Sequence, residues 1–270
     1  MIREFPVVPT RDGGTREIRR IDGIILPRVP WVEVNRVPMS LIDGSLATRK
    51  QEQLLAVMRA NSVVCVQAKT SRLGPQLLGQ ALFSRGLLEA QDMKVARSVA
   101  LCGATELELE EVAVDEFGLE VMVDEPAGAM KRKVASERSG LARHTIGVAE
   151  YLKRWEGVDG VWSKPVQSLL TRSGERILVD GLVVRGWTRA APPSRWSDLE
   201  GLDVTVVVST SKRLGMYAMG MAVFARALAE RAGARADAVI VARANDSTLG
   251  PLLREHAGVS VWVPQGVRPD

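Results

Sequence analysis

The chain alternates short apolar runs rich in β-branched residues with longer segments whose apolar positions recur at one-turn spacing. Residues 16–26 (REIRRIDGIIL) carry Ile18, Ile21, Ile24 and Ile25 and read as a strand, ended by Pro27 and Pro30. Asp12-Gly13-Gly14 before them has the composition of a hairpin turn. Residues 28–45 are loop-like, with turn signals at Pro38 and Asp43-Gly44. The spacing of Leu54, Leu55 and Met58 predicts a helix over 47–60, and the run 62–66 (SVVCV) predicts a buried strand. A turn at Thr70-Ser71 leads to a helix over 74–89, where Pro75 suits the first turn and Leu78, Leu82 and Phe83 share a face. A strand at 95–101, an acidic helix-like stretch and a strand at 119–123 follow, and residues 126–165 form a bridge with a helix expected around 145–154. The second half repeats the order, with strands at 175–184, 204–208, 238–241 and 259–263 and helices at 216–230 and 249–256. This alternation argues for α/β architecture.

The repetition extends to residue identity. Arg72-Leu73-Gly74, Gly79, Ala81, Phe83, Arg85 and Leu87 recur at the same spacing as Arg213-Leu214-Gly215, Gly220, Ala222, Phe224, Arg226 and Leu228. Upstream, Glu17, Asp22 and Gly23 are echoed by Glu175, Asp180 and Gly181. The copies differ in one telling place. Gln67-Ala68-Lys69 ends an apolar strand in the first half, and Val208-Ser209-Thr210 stands there in the second.

Composition narrows the classes. At 270 residues the chain holds one large or two ordinary domains, and the duplication favours two. Aromatic residues make up only 4%, so the cores must be built from Val, Leu, Ile and Ala. No apolar run reaches the roughly 18 residues of a membrane span, and the N-terminal segment lacks the apolar stretch of a signal peptide, so the expected location is cytoplasmic. Cys65 and Cys102 lie in apolar runs and read as reduced core residues. The net charge of +4 is a weak pointer to a polyanionic partner. Its distribution is uneven: 103–125 is acid-rich, 131–154 is base-rich, and arginines gather at Arg16, Arg19 and Arg20.

The first half carries a candidate constellation. Side chains alternate along a strand, so Gln67 and Lys69 point the same way. If the strand bearing Asp22 is their neighbour, a carboxylate, an amide oxygen and an ammonium converge on one point. A hydrated Mg²⁺, which takes oxygen ligands and retains waters, suits that point. Asp22-Gly23 also suits a turn or bulge, and its echo in Asp180-Gly181 fits either role. Arg72, at the start of a helix near this point, is placed to meet a phosphate.

On these residues (IDGIIL, then VCVQAK and a helix) the first half resembles the PD-(D/E)xK nucleases. It is most similar to the Mrr-like restriction endonuclease branch, which carries Gln-x-Lys. The likeness spans residues 17–101 and implies a fold of two tandem restriction-endonuclease-like α/β units, each a central mixed β-sheet flanked by helices. It implies Asp22 and Gln67 as metal ligands for Mg (or Mn), Lys69 as the catalytic lysine and Glu17 as an additional acid. Arg19, Arg20 and Arg72 would then contact DNA. The implied organisation is a nuclease-like repeat over 1–130, a basic linker over 131–165 and a degenerate repeat over 166–270. The chain departs from the pattern in the long interval between Asp22 and Gln67, which implies an insertion over 28–60, and in Thr210 where the second copy should carry lysine.

Two functions stay open at this level. One is a Mg-dependent DNA endonuclease, acting as a homodimer or as an intramolecular pseudo-dimer. The other is an inactive nuclease scaffold that binds nucleic acid or a protein partner. A small-molecule site at the strand ends ranks below both, because neither G-x-G-x-x-G nor a P-loop occurs.

Overall fold

The computed structural model describes residues 2–7, 19–27, 49–105, 107–124, 141–210, 214–246 and 249–264. The chain divides into two compact units: Met1–Glu106 with Ala113–Pro126, and Ala127–Asp270 with Leu107–Val112.

The first unit is built on a five-stranded sheet in the order β1 (Ile2–Val7), β2 (Arg19–Ile25), β3 (Ser62–Arg72), β4 (Lys94–Ala104), β5 (Glu120–Val123). β1, β2 and β3 pair antiparallel, while β3, β4 and β5 pair parallel. Helix α1 (Arg49–Ala60) leads into β3, and α2 (Pro75–Glu89) makes the crossover from β3 to β4. α2 presents Leu77, Leu78, Ala81, Phe83, Leu87 and Leu88 to the core, each essentially fully buried. Burying a side chain of this size stabilises the fold by roughly 1.5–3 kcal/mol, so this helix anchors the sheet. Before β5 the chain forms α3 (Leu107–Glu111), which belongs to the second unit, and a π-helical turn (Val112–Glu116).

β3 runs further than its apolar residues alone indicate. Thr70 and Ser71 lie inside the strand, not in a turn. Pairing with β4 carries β3 on to Arg72, which faces Ala104, with a shift of register after Lys69.

The second unit repeats this plan. Its sheet has the order β6 (Val161–Leu170), β7 (Arg176–Arg185), β8 (Asp203–Ser209), β9 (Arg235–Val241), β10 (Val259–Trp262). β6, β7 and β8 are antiparallel, and β8, β9 and β10 are parallel. α5 (Met216–Arg231) takes the place of α2, and α6 (Leu249–Ala257) precedes β10. Details recur as well. Gly74 and Gly215 cap the two matching helices, and Arg85–Glu89 and Arg226–Glu230 make the same i,i+4 ion pair, with 2.9 Å from each Nε to the carboxylate.

The basic stretch 131–165 carries the helix that the sequence places around 145–154. It supplies α4 (Leu141–Leu152) and the start of β6, both within the second unit. α4 belongs there because Val148, Tyr151 and Leu152 bury against Val183, Val207, Val239 and Val241 on the sheet face opposite α5. Gly181 admits the helix: a Cβ there would lie 3.0 Å from Val148 Cγ1 and 3.2 Å from Val207 Cβ. Among the described residues, no helix is long and apolar enough to cross a membrane.

Candidate functional site

The antiparallel pairing of β2 with β3 sets Gly23 against Val66, so Asp22 falls opposite Gln67 one step on. The backbone ladder between the strands stops there, and the Asp22 side chain takes over. Its Oδ2 accepts the Ala68 amide hydrogen at 2.8 Å. Asp22 is solvent-exposed, yet its charge reaches the interior. The buried Cys65 thiol is pushed up to about 12, first by burial and then by the Asp22 carboxylate. Partners directly opposite in an antiparallel pair project to one face, so Asp22 shares the face of β3 that carries Gln67 and, by alternation, Cys65 and Lys69.

Gln67 is 1% exposed. Its Nε2 donates to Ser84 Oγ of α2 at 2.7 Å. Its Oε1 is buried and has no hydrogen-bond partner. An unsatisfied buried acceptor costs about 1–3 kcal/mol, so its retention calls for a reason. Lys69 is half-buried, two residues further along the same face, paired in register with Cys102 of β4.

The remaining sequence-derived candidates are placed less closely. Arg72 ends β3 and is exposed. Arg19 and Arg20 begin β2, opposite Val7 and Pro6 of β1, and the position of their side chains lies outside the described residues. Glu17 also lies outside them. One acid escaped the sequence reading. Glu4 occupies the β1 position between Arg3 and Phe5, whose partners are Gly23 and Ile21, so it falls opposite Asp22 in the register. Only knowledge of the β1–β2 pairing brings it to notice.

The second unit is an internal control. Asp180 Oδ2 accepts the Ser209 amide hydrogen at 2.6 Å, the counterpart of the Asp22–Ala68 bond. Around it the glutamine, lysine and serine of the first unit have no counterparts, although Ser209 Oγ is itself buried without a hydrogen-bond partner. The shared pairing of Gly23 with Val66 and Gly181 with Val207 matches Cys65 to Val206, Gln67 to Val208 and Lys69 to Thr210. The matched helices put Ala225 where Ser84 stands. Val208 and Ala225 are both buried, so the same scaffold accepts a wholly apolar filling here.

As a metal site the first unit offers oxygen donors of the hard kind that Mg²⁺ takes: the Asp22 carboxylate and the orphaned Gln67 Oε1. Among the described residues no group of three or more His, Cys, Asp or Glu side chains gathers around a point. Ligands from outside these two side chains would have to complete the shell. A cavity of about 750 Å³ lies elsewhere, in the second unit, lined in part by Arg172, Arg195, Arg231, Glu108 and Glu111. Its charges are partly neutralised from within, with Arg231 and Glu111 paired at 3.0 Å.

Comparison with family models, with curated proteins and with solved structures gives no match to this chain.

Proposed function

We propose that the first unit is a Mg²⁺-dependent nuclease acting on DNA, of the PD-(D/E)xK kind with a Gln-x-Lys pair, and that the second is its catalytically silent copy. One observation supports this reading above the others. Gln67 keeps a buried, unpaired amide oxygen beside the strand position held by the Asp22 carboxylate, whereas the second unit fills the same place with Val208. The Asp22 carboxylate and Gln67 Oε1 would hold the ion. The bound Mg²⁺ would supply Lewis-acid polarisation of a phosphate oxygen and a lowered pKa for a coordinated water. The Lys69 ammonium, on the same face, would orient the attacking water and neutralise charge developing on the phosphate. Arg72, exposed at the end of β3, would grip the backbone of the nucleic acid.

The test is cleavage of supercoiled and linear DNA, methylated and unmethylated, with Mg²⁺ or Mn²⁺. Cleavage by the wild type, abolished in Lys69→Ala with the fold intact, supports the reading. Absence of metal-dependent cleavage on every substrate overturns it. A second reading has its own support: the Asp180–Ser209 bond survives without counterparts of Gln67, Lys69 and Ser84, so the aspartate also serves as a strand clamp. On that reading the chain is an inactive scaffold, and gel-shift affinity that falls with salt in the absence of cleavage would favour it.

A further inference from the structure

Ser84 and Gln67 form a buried polar pair on an otherwise apolar interface. Gln67 is 1% exposed and Ser84 is 3% exposed, with 2.7 Å between Nε2 and Oγ. On α2 the serine stands among Leu77, Leu78, Ala81, Leu87 and Leu88, all buried. The pair leaves Gln67 Oε1 without a partner. In the second unit both members are replaced together, by Val208 and Ala225. The scaffold therefore has an apolar alternative that removes the orphaned oxygen, and the first unit does not use it.

A glutamine amide has two faces to offer, and only one is a ligand. A half-turn about its last torsion exchanges the oxygen for the NH₂ group. A cation site needs the oxygen, so something must select between the two. A serine inside a helix commonly donates its hydroxyl hydrogen to the carbonyl four residues earlier, which leaves Oγ as an acceptor. An acceptor at Ser84 draws the NH₂ group to itself and leaves Oε1 unpaired, on a side chain that stands opposite Asp22 in the β2–β3 register.

We propose that Ser84 is a positioning residue: its hydroxyl holds the Gln67 amide so that the oxygen, not the nitrogen, is presented to a divalent cation at Asp22. This rests on the metal-site reading above and adds to it the device that orients one ligand. Groups that orient metal ligands are typically worth 10–100-fold in affinity.

The experiment measures Mn²⁺ binding to the full chain by electron paramagnetic resonance titration, alongside thermal unfolding of the metal-free protein. Wild type is expected to bind the ion, and Ser84→Ala to bind it roughly tenfold more weakly or worse. The decisive comparison repeats Ser84→Ala on a Gln67→Glu background. A carboxylate has two equivalent oxygens and needs no selection, so removing the hydroxyl there should cost much less affinity. The paired variant Gln67→Val with Ser84→Ala, which copies the second unit, should unfold at a higher temperature than Ser84→Ala alone and bind no Mn²⁺. It shows that the site can lose its polar pair and still fold. Equal losses of affinity on the glutamine and glutamate backgrounds would reduce Ser84 to a packing residue and overturn the proposal. So would undiminished binding by Ser84→Ala. A wild-type chain that binds no Mn²⁺ at all would instead overturn the metal-site reading on which the proposal stands.

Discussion

The Asp22 carboxylate is hydrogen-bonded to the backbone of Ala68, at 2.8 Å, and this bond joins β2 to β3 where their ladder ends. The same bond joins β7 to β8 through Asp180 and Ser209, at 2.6 Å. An aspartate that clamps a strand is therefore part of the scaffold of both units. In the first unit alone it also stands opposite a glutamine, Gln67, with Lys69 two residues further along the same strand.

The clamp has a measurable worth where it acts alone. Asp180 is half-buried, and its substitution by alanine leaves the Ser209 amide without its acceptor. Hydrogen bonds to charged groups contribute about 1.5–3 kcal/mol, so Asp180→Ala should lower stability by an amount in that range, read from the denaturant midpoint. DNA cleavage, assigned to the other unit, should persist under conditions where the variant stays folded. A variant as stable as wild type would show that the bond carries no weight.

Cys65 should be chemically silent in the native chain. Its thiol is held up at about 12 by burial and by the Asp22 charge, against 9.0 for an ordinary cysteine. The folded state thus retains the proton more tightly than the unfolded state. The stability this contributes is fully present below about pH 9 and is lost as the pH rises towards about 12. Iodoacetamide at pH 8, followed by peptide mass mapping, should leave Cys65 unmodified until denaturant is added. Rapid native labelling of this residue would contradict the burial and the charge placement together.

Packing of α4 on the second sheet depends on Gly181. A methyl group there would meet Val148 Cγ1 at 3.0 Å and Val207 Cβ at 3.2 Å, and the second of these atoms lies close to a strand backbone. Overpacking of this kind costs about 1–3 kcal/mol. Gly181→Ala should lower the melting temperature, and the loss of protection should appear by hydrogen exchange first in residues 141–152. An unchanged melting curve would mean that the helix sits further from the sheet than these distances require.

The parts of this arrangement differ in how plainly they could be read from residue order. The two crossover helices were legible because a helix packed on a sheet tolerates few changes: Ala81, Phe83 and Leu87 reappear as Ala222, Phe224 and Leu228, all buried. β6 was missed because Ser163, Lys164 and Pro165 interrupt its apolar pattern. It lies at the sheet edge, where a proline without an amide hydrogen is tolerated. Strand alternation rightly put Gln67 and Lys69 on one face. It gave no hint that the Gln67 amide nitrogen turns inward to Ser84, because a single serine in a helix looks the same whether it faces water or a partner. The acid at Glu4 was invisible for a related reason: opposition across two strands is set by register, which residue types alone do not determine.

Clamping and the proposed ligand duty can be separated at Asp22 itself. Asparagine has the shape of aspartate and retains a carbonyl oxygen that can accept the Ala68 amide hydrogen. It lacks the negative charge that would draw a divalent cation. Asp22→Asn should therefore lose little stability, about 0.5–1.5 kcal/mol as one charged hydrogen bond becomes a neutral one. It should lose Mn²⁺ binding and DNA cleavage entirely. Asp22→Ala removes the acceptor as well, and should show the same functional loss with a further drop in the denaturant midpoint. The matching pair at Asp180 calibrates the structural share, since its neighbours Val208 and Thr210 offer no comparable set of groups. If Asp22→Asn binds Mn²⁺ and cuts DNA as the wild type does, the carboxylate is a strand clamp and nothing more, and the catalytic assignment of the first unit falls with it.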